Sequence, residues 1–278
     1  MSAIKKLLTK SFLERLISGI ILLVIALFTI IIGKDVLFAT IVIISFIGLF
    51  ELLRVFKLQW KLLGIIGYIA TIVYYSFIRM EKTEYLIVLF IGYLICLMGA
   101  YVFNFPKFKA LDLMVAFFGF FYVVLMLSYV YQVRMMPDGK YVVWLIFLCS
   151  WGCDTCAYLV GVMFGKHKMA PVLSPKKSIE GGIGGVVGAG LLGLLYATIF
   201  KDNLIIDNAN IVFPIVCAIG AIISQVGDLC ASGIKRDHEI KDYSKLIPGH
   251  GGILDRFDSV IITAPIIFYL ILYIDKIM

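Results

Sequence analysis

Acidic side chains recur at helical spacing near the C-terminal end of an otherwise apolar chain. Asp228, Ser232 and Lys235 are spaced i, i+4 and i+7, so they share one face if this segment is helical. Asp255 and Asp258 are i, i+3 neighbours at the start of another apolar run. Carboxylates without clustered Cys or His favour a hard cation such as Mg²⁺, which proteins hold through one or two carboxylates together with substrate phosphates.

Basic and glycine residues fill the interval between these acids. Lys241 and Asp242 precede the run Pro248-Gly249-His250-Gly251-Gly252, and further cations stand on either side of the interval, namely Lys235, Arg236 and Arg256. Glycines permit positive φ and close backbone approach, and successive exposed N–H groups can form an anion-binding nest. The combination predicts a site for a metal and a polyphosphate, in which catalysis is mostly positioning and charge neutralisation.

A second polar stretch lies upstream. Ser174, Lys176 and Lys177 surround a proline turn, and ammonium groups bind phosphate as point charges. Asp154 lies inside an apolar run, where an acidic residue is a functional hypothesis by default. Because Asp154 and Tyr158 are four residues apart, they are expected on one helix face.

The elements that position these residues are membrane-spanning helices. The chain of 278 residues is 62% apolar and 15% charged, whereas soluble domains carry roughly 45–50% apolar and about 25% charged residues. We therefore predict an all-α, polytopic membrane bundle, since long apolar runs in lipid must satisfy their backbone as helices. About nine transmembrane helices are predicted, near residues 16–33, 36–56, 62–78, 85–104, 111–133, 141–163, 182–200, 211–229 and 259–274.

The distribution of basic residues predicts the orientation. With the N-terminus in the cytoplasm, most of the 25 Lys and Arg residues fall on the cytoplasmic side, including the N-terminal arm with Lys5, Lys6, Lys10 and Arg15. This bias predicts that the N-terminus is inside and the C-terminus outside. Both polar stretches then lie on the cytoplasmic face, where positive charge also suits anionic lipid headgroups.

The chain divides into two unequal halves. Residues 1–140 are predicted to be an N-terminal scaffold of five spans, in which Glu51 and Arg54 share a helix face but have no assigned role. Residues 141–278 are predicted to be the catalytic half, with cytoplasmic loops at 164–181 and 230–258.

Small residues in the catalytic half are interpreted as packing features. The pairs Gly181/Gly185 and Gly184/Gly188 follow the small-xxx-small spacing that lets helix backbones approach closely. The run from Cys153 to Cys156 has the spacing of redox and zinc sites, but it lies inside an apolar segment without a second pair, which favours ordinary packing.

Three stretches resemble one enzyme family. Residues 232–258 read S-x-I-K-R-x4-K-D-x-S-x2-I-P-x-H-G-G-I-x-D-R-F-D, which is similar to the signature of the phosphatidate cytidylyltransferases. W-x2-D-T-x-A-Y-x2-G-x2-F-G-K at 151–166 and S-P-K-K-S-x-E-G at 174–181 also resemble that family. Ser178 stands where the family more often has threonine, which keeps the hydroxyl. The resemblance is strong over residues 141–278 and limited to apolar spans before that.

The resemblance implies a reaction in which CTP and phosphatidate give CDP-diacylglycerol and pyrophosphate. It implies a Mg²⁺-dependent, multi-pass enzyme of the cell membrane, with a possible second cation such as K⁺, a homodimeric assembly, and Asp228 and Asp255 as metal ligands. No nucleic-acid partner is expected. The predicted catalytic residues are Asp228, Lys235, Asp255, Arg256 and Asp258. The predicted substrate-binding residues are Asp154, Ser174, Lys176, Lys177, Ser232, Arg236, Lys241, Asp242, His250, Gly251 and Gly252.

Three alternative functions stay open on the sequence alone. A CTP-using polyprenol or phytol kinase would transfer the γ-phosphate and release CDP. An ion-coupled transporter would use Asp154 and Asp228 as intramembrane carboxylates, although transporters often show repeats and broken helices at the midplane. A structural membrane subunit would not require the convergent acids and glycines.

Overall fold

The computed structural model describes the backbone of residues 10–277 and the side chains of residues 17–274. Lys5 and Lys6 of the basic arm, and the side chains of Lys10 and Arg15, lie outside the described residues. The orientation argument built on them therefore stays a prediction.

The described residues form nine long helices and one short hairpin. The helices are α1 Lys10–Ile32, α2 Lys34–Val55, α3 Leu62–Arg79, α4 Leu86–Phe103, α5 Ala110–Met135, α6 Gly139–Phe164, α7 Ile179–Phe200, α8 Ala209–Asp237 and α9 Leu254–Ile277. Helices α5 and α6 each continue through a π-helical turn, Phe120–Leu125 in α5 and Leu148–Gly152 in α6. The hairpin strands are β1 Lys168–Ala170 and β2 Ser174–Ser178.

The membrane bundle expected from the composition is confirmed. Within the described part of the chain, eight helices, α2 to α9, are long and apolar enough to cross a membrane. In α1 the described segment from Ile17 to Ile32 is apolar but shorter. Large apolar side chains such as Ile21, Val24 and Phe28 are exposed on its surface, as expected of residues that face lipid.

The two polar loops are shorter than the sequence suggested. Helix α8 extends to Asp237 and α9 already begins at Leu254, so the second loop covers residues 238–253 and not 230–258. The earlier start of α9 has a physical cause, because a carboxylate of α2 accepts hydrogen bonds from backbone N–H groups at this helix end. The first loop contains the antiparallel β1–β2 hairpin, with Lys168 opposite Ser178.

Glycines let α7 pack closely on α6, as the small-xxx-small spacing predicted. A Cβ atom added at Gly185 would lie 2.8 Å from the Cys153 sulfur, and one at Gly188 would lie 2.5 Å from Cβ of Cys156. The two cysteines of the C-x-x-C pattern therefore fill the space that these glycines leave open. The close contact fixes Asp154, between the two cysteines, relative to α7.

We expect Gly185→Val to destabilise the bundle by about 1–3 kcal/mol, because the larger side chain must displace Cys153 and Ala157. Gly92→Val is the matched control, since within the described residues nothing lies within 4 Å of a Cβ atom at Gly92. Thermal unfolding in detergent measures both variants. Equal melting temperatures for the two would contradict the packing account.

The helix ends that carry the polar residues meet at one end of the bundle. The start of α1 contacts the 238–253 loop through Ser18, whose hydroxyl donates to the Pro248 carbonyl over 2.9 Å. The end of α2 contacts the same loop through Glu51, and β2 reaches α8 through Lys177. Both polar loops therefore lie at the same end of the bundle as the described start of α1, and we call this the loop end.

Candidate active site

An ion pair joins the β2 strand to α8. The Lys177 ammonium donates to Oδ2 of Asp228, and the Ser232 hydroxyl lies 3.4 Å from Oδ1 of the same carboxylate. The Lys177 and Asp228 side chains are 26% and 23% exposed, so water and solutes reach the pair. The predicted common face of Asp228, Ser232 and Lys235 is present, because α8 stays helical to Asp237.

A cavity of about 510 Å³ opens beside this pair. Asp154 and Tyr158 line it from α6, which confirms that they share a face, and Gln225 lines it from α8. The remaining polar lining is mostly basic and comes from the hairpin, namely Lys168, Lys176 and Lys177. The cavity thus combines carboxylates at its helix walls with ammonium groups on the strands, an arrangement suited to an anionic ligand.

A second ion pair is buried beneath the 238–253 loop. The Lys235 ammonium donates to Oδ1 of Asp255 over 2.7 Å, and these side chains are 11% and 1% exposed. Oδ2 of Asp255 accepts the backbone N–H groups of Tyr243 at 2.7 Å and Gly252 at 2.9 Å. The Asp255 carboxylate therefore anchors the loop as well as neutralising Lys235. Burial, followed by the charge of Asp255, raises the pKa of the Tyr243 phenol, which stays neutral and donates to the Ala231 carbonyl.

Arg256 and Asp258 lie two residues apart at the start of α9. The Asp258 side chain is buried, accepts the Ser259 N–H at 2.8 Å, and interacts electrostatically with Asp228, Lys235 and Asp154. Arg256 is half-buried and interacts with Asp154. Within the described residues its Nε atom is buried and has no hydrogen-bond partner. A buried donor without a partner is costly, so this guanidinium is suited to an acceptor that a ligand supplies.

The glycine loop is held from within the protein. Gly251 adopts a φ of +82°, where a side chain is disfavoured, and its N–H donates to the Ile247 carbonyl at 3.1 Å. The Gly252 N–H donates to Asp255. The sequence predicted that these amides bind an anion; in the structure the anion that meets Gly252 is the protein's own carboxylate.

Comparison with known proteins places the chain in a protein family. The model of the cytidylyltransferase family matches residues 13–274. The chain belongs to this family. The relatives that carry the name phosphatidate cytidylyltransferase include three from different bacteria. That of Bacillus subtilis (strain 168) is 30% identical over 272 residues, covering 93% of this chain and 97% of the relative. That of Staphylococcus saprophyticus is 38% identical over 168 residues, covering 60% and 62%. That of Rickettsia bellii is 41% identical over 137 residues, covering 48% and 59%.

As a member of the cytidylyltransferase family the protein is a CTP-dependent nucleotidyltransferase, as the sequence signature predicted. The matched region includes the whole of the cavity and both ion pairs. The three carboxylates Asp154, Asp228 and Asp258, with the cations that face them, are therefore the candidate active site of a cytidylyltransferase.

Several predicted substrate-binding residues lie at the margin of this site. Arg236 is exposed and its guanidinium lies 3.4 Å from the Ile240 carbonyl, whereas Lys241 and Asp242 are exposed on the loop. Ser174 begins β2 opposite Ala170. His250 shares a 2.8 Å hydrogen bond with the Ser18 hydroxyl of α1. The substrate roles of these residues stay predictions.

Sequence reasoning left Glu51 and Arg54 of α2 without a role, and the structure places both against the site loop. Glu51 is 2% exposed and accepts hydrogen bonds from Ser244, Ile253 and Leu254. The Arg54 guanidinium donates to the Tyr243 carbonyl. In the sequence, Glu51 was recognisable as an acid inside an apolar span. Such an acid is a functional candidate, but the sequence does not reveal its partner.

The chemistry of the carboxylates fits a hard divalent cation. Asp154, Asp228 and Asp258 offer only oxygen donors and interact with one another electrostatically. Among the described residues, however, no group of three or more His, Cys, Asp or Glu side chains is arranged to hold a metal ion. Lys177 and Lys235 neutralise Asp228 and Asp255 in this arrangement. The metal role of Asp228 and Asp255 stays a prediction.

Proposed function

We propose that the protein is a phosphatidate cytidylyltransferase, which converts CTP and phosphatidate into CDP-diacylglycerol and pyrophosphate. The observation that carries the proposal is the cavity of carboxylates and lysines at the loop end of a membrane bundle. A water-soluble nucleotide and a lipid can meet only where the headgroup layer borders water. Irregular backbone is tolerated at that depth because it lines a wet cavity and is not exposed to lipid.

The reaction is a direct displacement at phosphorus. A phosphate oxygen of phosphatidate forms a bond to the α-phosphorus of CTP, and the bond from that phosphorus to the oxygen bridging the α- and β-phosphates breaks. The electron pair of the broken bond leaves with pyrophosphate. Because the attacking oxygen is already anionic, the step needs no strong general base, and His250 is assigned to phosphate contact or loop structure.

Basic side chains hold the phosphate groups in this scheme. Lys176 and Lys177 enter the cavity from β2, and Arg256 approaches from α9 with a buried, unpaired Nε within the described residues. Such cations bind phosphate oxygens through charge-assisted hydrogen bonds. The Lys177 ammonium can turn from Asp228 to a phosphate, since the pair is partly exposed. Lys235 is buried against Asp255. It therefore contributes positive charge near the site and helps to hold the loop through Asp255.

Magnesium is part of the proposal. The predicted holders are Asp228 and Asp255, and Asp258 and Asp154 supply further oxygen donors beside Asp228. When bound, Mg²⁺ supplies charge neutralisation of the triphosphate and of the leaving pyrophosphate. The suggestion of a second cation such as K⁺ rests on the family resemblance alone.

We further propose that the loop end faces the cytoplasm and that the protein acts as a homodimer. The first rests on the excess of Lys and Arg predicted for that side and on the requirement for cytosolic CTP. The second rests on the family resemblance.

The test uses purified protein in detergent with phosphatidate, Mg²⁺ and CTP labelled at either the α- or the γ-phosphate. We expect label from the α-phosphate in the lipid product and γ-label in pyrophosphate. Transfer of γ-label to lipid would identify a lipid kinase and overturn the proposal. Failure of folded protein to transfer either label would also overturn the proposal, because phosphatidate would then not be the acceptor of this nucleotidyltransferase.

A further inference from the structure

Glu51 of α2 is a buried carboxylate that holds the site loop from the opposite half of the chain. Its Oε1 accepts the Ser244 hydroxyl at 2.5 Å and the Ile253 N–H at 3.1 Å. Its Oε2 accepts the Leu254 N–H at 2.8 Å. Three donors thus converge on one side chain that is only 2% exposed.

We propose that Glu51 is a positioning residue for cytidylyl transfer, which sets the first turn of α9 and thereby the location of Asp255, Arg256 and Asp258. The inference rests on the proposed function. Glu51 lies outside the stretches that resemble the family signature, and its effect is exerted through the loop and not through contact with substrate.

The position of Glu51 suits the start of a helix. The first N–H groups of a helix lack partners within the helix, and the N-terminus carries positive partial charge. The residue before α9 is Ile253, whose side chain has no oxygen to cap the helix, and the Glu51 carboxylate meets the N–H groups of Ile253 and Leu254. An anion from α2 thus stabilises the helix that carries three of the predicted catalytic residues.

Gly252 shows how closely the carboxylate approaches. A Cβ atom at Gly252 would lie 2.5 Å from Oε1 and 2.6 Å from Oε2 of Glu51, so a larger residue would force the two apart. On the preceding residue, a Cβ atom at Gly251 would lie 2.8 Å from Oδ2 of Asp255. Gly251 and Gly252 are therefore packed against two carboxylates, one from α9 and one from α2.

Arg54 adds a second contact from α2. Its guanidinium donates to the carbonyl of Tyr243, while the N–H of Tyr243 donates to Asp255. Both backbone polar groups of Tyr243 are thus hydrogen-bonded, the carbonyl to α2 and the N–H to α9. Because catalysis by charged groups depends on their placement, an error of about 1 Å at the start of α9 is enough to reduce the rate by about a hundredfold.

The experiment compares Glu51→Gln, Glu51→Asp and the control Glu84→Gln, whose carboxylate is exposed near the start of α4. The readout is the kcat of α-label transfer per folded, monodisperse molecule, with the KM for CTP measured alongside. Glutamine keeps the size but replaces one acceptor oxygen by a donor facing backbone N–H groups. For Glu51→Gln we expect kcat to fall about tenfold or more, with a smaller change in the KM for CTP. We expect Glu51→Asp, which keeps the carboxylate, to lose less kcat than Glu51→Gln.

Ser244→Ala provides a variant that removes only one of the three contacts and keeps Glu51. We expect Ser244→Ala to lose less kcat than Glu51→Gln. In the double variant that carries both substitutions, we expect a fold loss of kcat well below the product of the two single fold losses. The single variant Ser244→Ala decides the matter if Glu51→Gln does not fold: unchanged kcat in Ser244→Ala would then overturn the inference.

Two further results would overturn it. In one, folded Glu51→Gln keeps a kcat within twofold of wild type. In the other, the activity lost matches the folded protein lost, which is the behaviour of a purely structural residue. Wild type is assayed first, because absence of α-label transfer there overturns the proposed function and this inference with it. An active wild type beside a fully active Glu51→Gln overturns the inference alone.

Discussion

Asp228→Asn is expected to reduce cytidylyl transfer by about a thousandfold while leaving the protein folded. The carboxylate lines the cavity, pairs with Lys177, and interacts electrostatically with Asp154 and Asp258. Asparagine keeps the shape and the contact with Ser232 but removes the negative charge. The ammonium of Lys177 then loses its charged partner, and the site loses a partly exposed oxygen donor for an incoming metal–nucleotide complex.

Initial rates of α-label transfer at saturating CTP and phosphatidate measure this effect. Asp237→Asn is the matched control, because Asp237 is an exposed acid at the end of the same helix. We expect the control to retain wild-type activity. A folded Asp228→Asn protein that loses less than tenfold in rate would remove Asp228 from the catalytic role proposed for it.

Asp255→Asn is expected to destabilise the protein by about 3–5 kcal/mol, in addition to its effect on activity. The side chain is 1% exposed, and its removal leaves the Lys235 ammonium buried without an opposite charge. The substitution also weakens the acceptor for the N–H groups of Tyr243 and Gly252, which hold the loop.

The free energy of unfolding from denaturant titration in detergent measures this loss. Asp35→Asn is the comparison, because it breaks the Arg79–Asp35 pair, whose side chains are 54% and 76% exposed. Exposed pairs contribute below about 1 kcal/mol. Equal stability losses in the two variants would show that the Lys235–Asp255 pair does not organise the loop.

The helices and the family were predictable because their signals are local. Apolar runs of about 20 residues identify spanning helices wherever they pack, and the predicted spans agree with α2 to α9. The spacing of Asp228, Ser232 and Lys235 required only that α8 continue beyond the membrane-spanning segment, which it does. The glycine pairs of α7 likewise depend only on spacing, so a close helix contact was foreseeable, whereas the identity of its partner, α6, was not.

The partners of the charged residues were not predictable, because they join segments far apart in the chain. Glu51 meets Ser244 from nearly two hundred positions away, and Ser18 meets His250 from even farther. Spacing and residue type alone did not separate the two aspartates of the D-R-F-D motif. In the structure Asp255 is tied to the loop, whereas Asp258 interacts with Asp154 and Asp228.

The loop glycines illustrate the same limit. Their composition suggested a nest for a ligand phosphate, and the positive φ of Gly251 agrees with a tight turn. The carboxylates that fill the space around Gly251 and Gly252 come from α9 and α2. Only the packing of α2 against the loop shows that the glycine at 252 makes room for a protein side chain.

Isotope tracing of the attacking oxygen tests the central claim most directly. Phosphatidate carrying ¹⁸O at all non-bridging phosphate oxygens is incubated with wild-type protein, Mg²⁺ and unlabelled CTP, and the products are analysed by mass spectrometry and ³¹P NMR. The account predicts a cytidine diphosphate lipid in which an ¹⁸O atom bridges the two phosphorus atoms, with pyrophosphate free of ¹⁸O. An ¹⁶O bridge, or a lipid diphosphate released together with CDP, would contradict it.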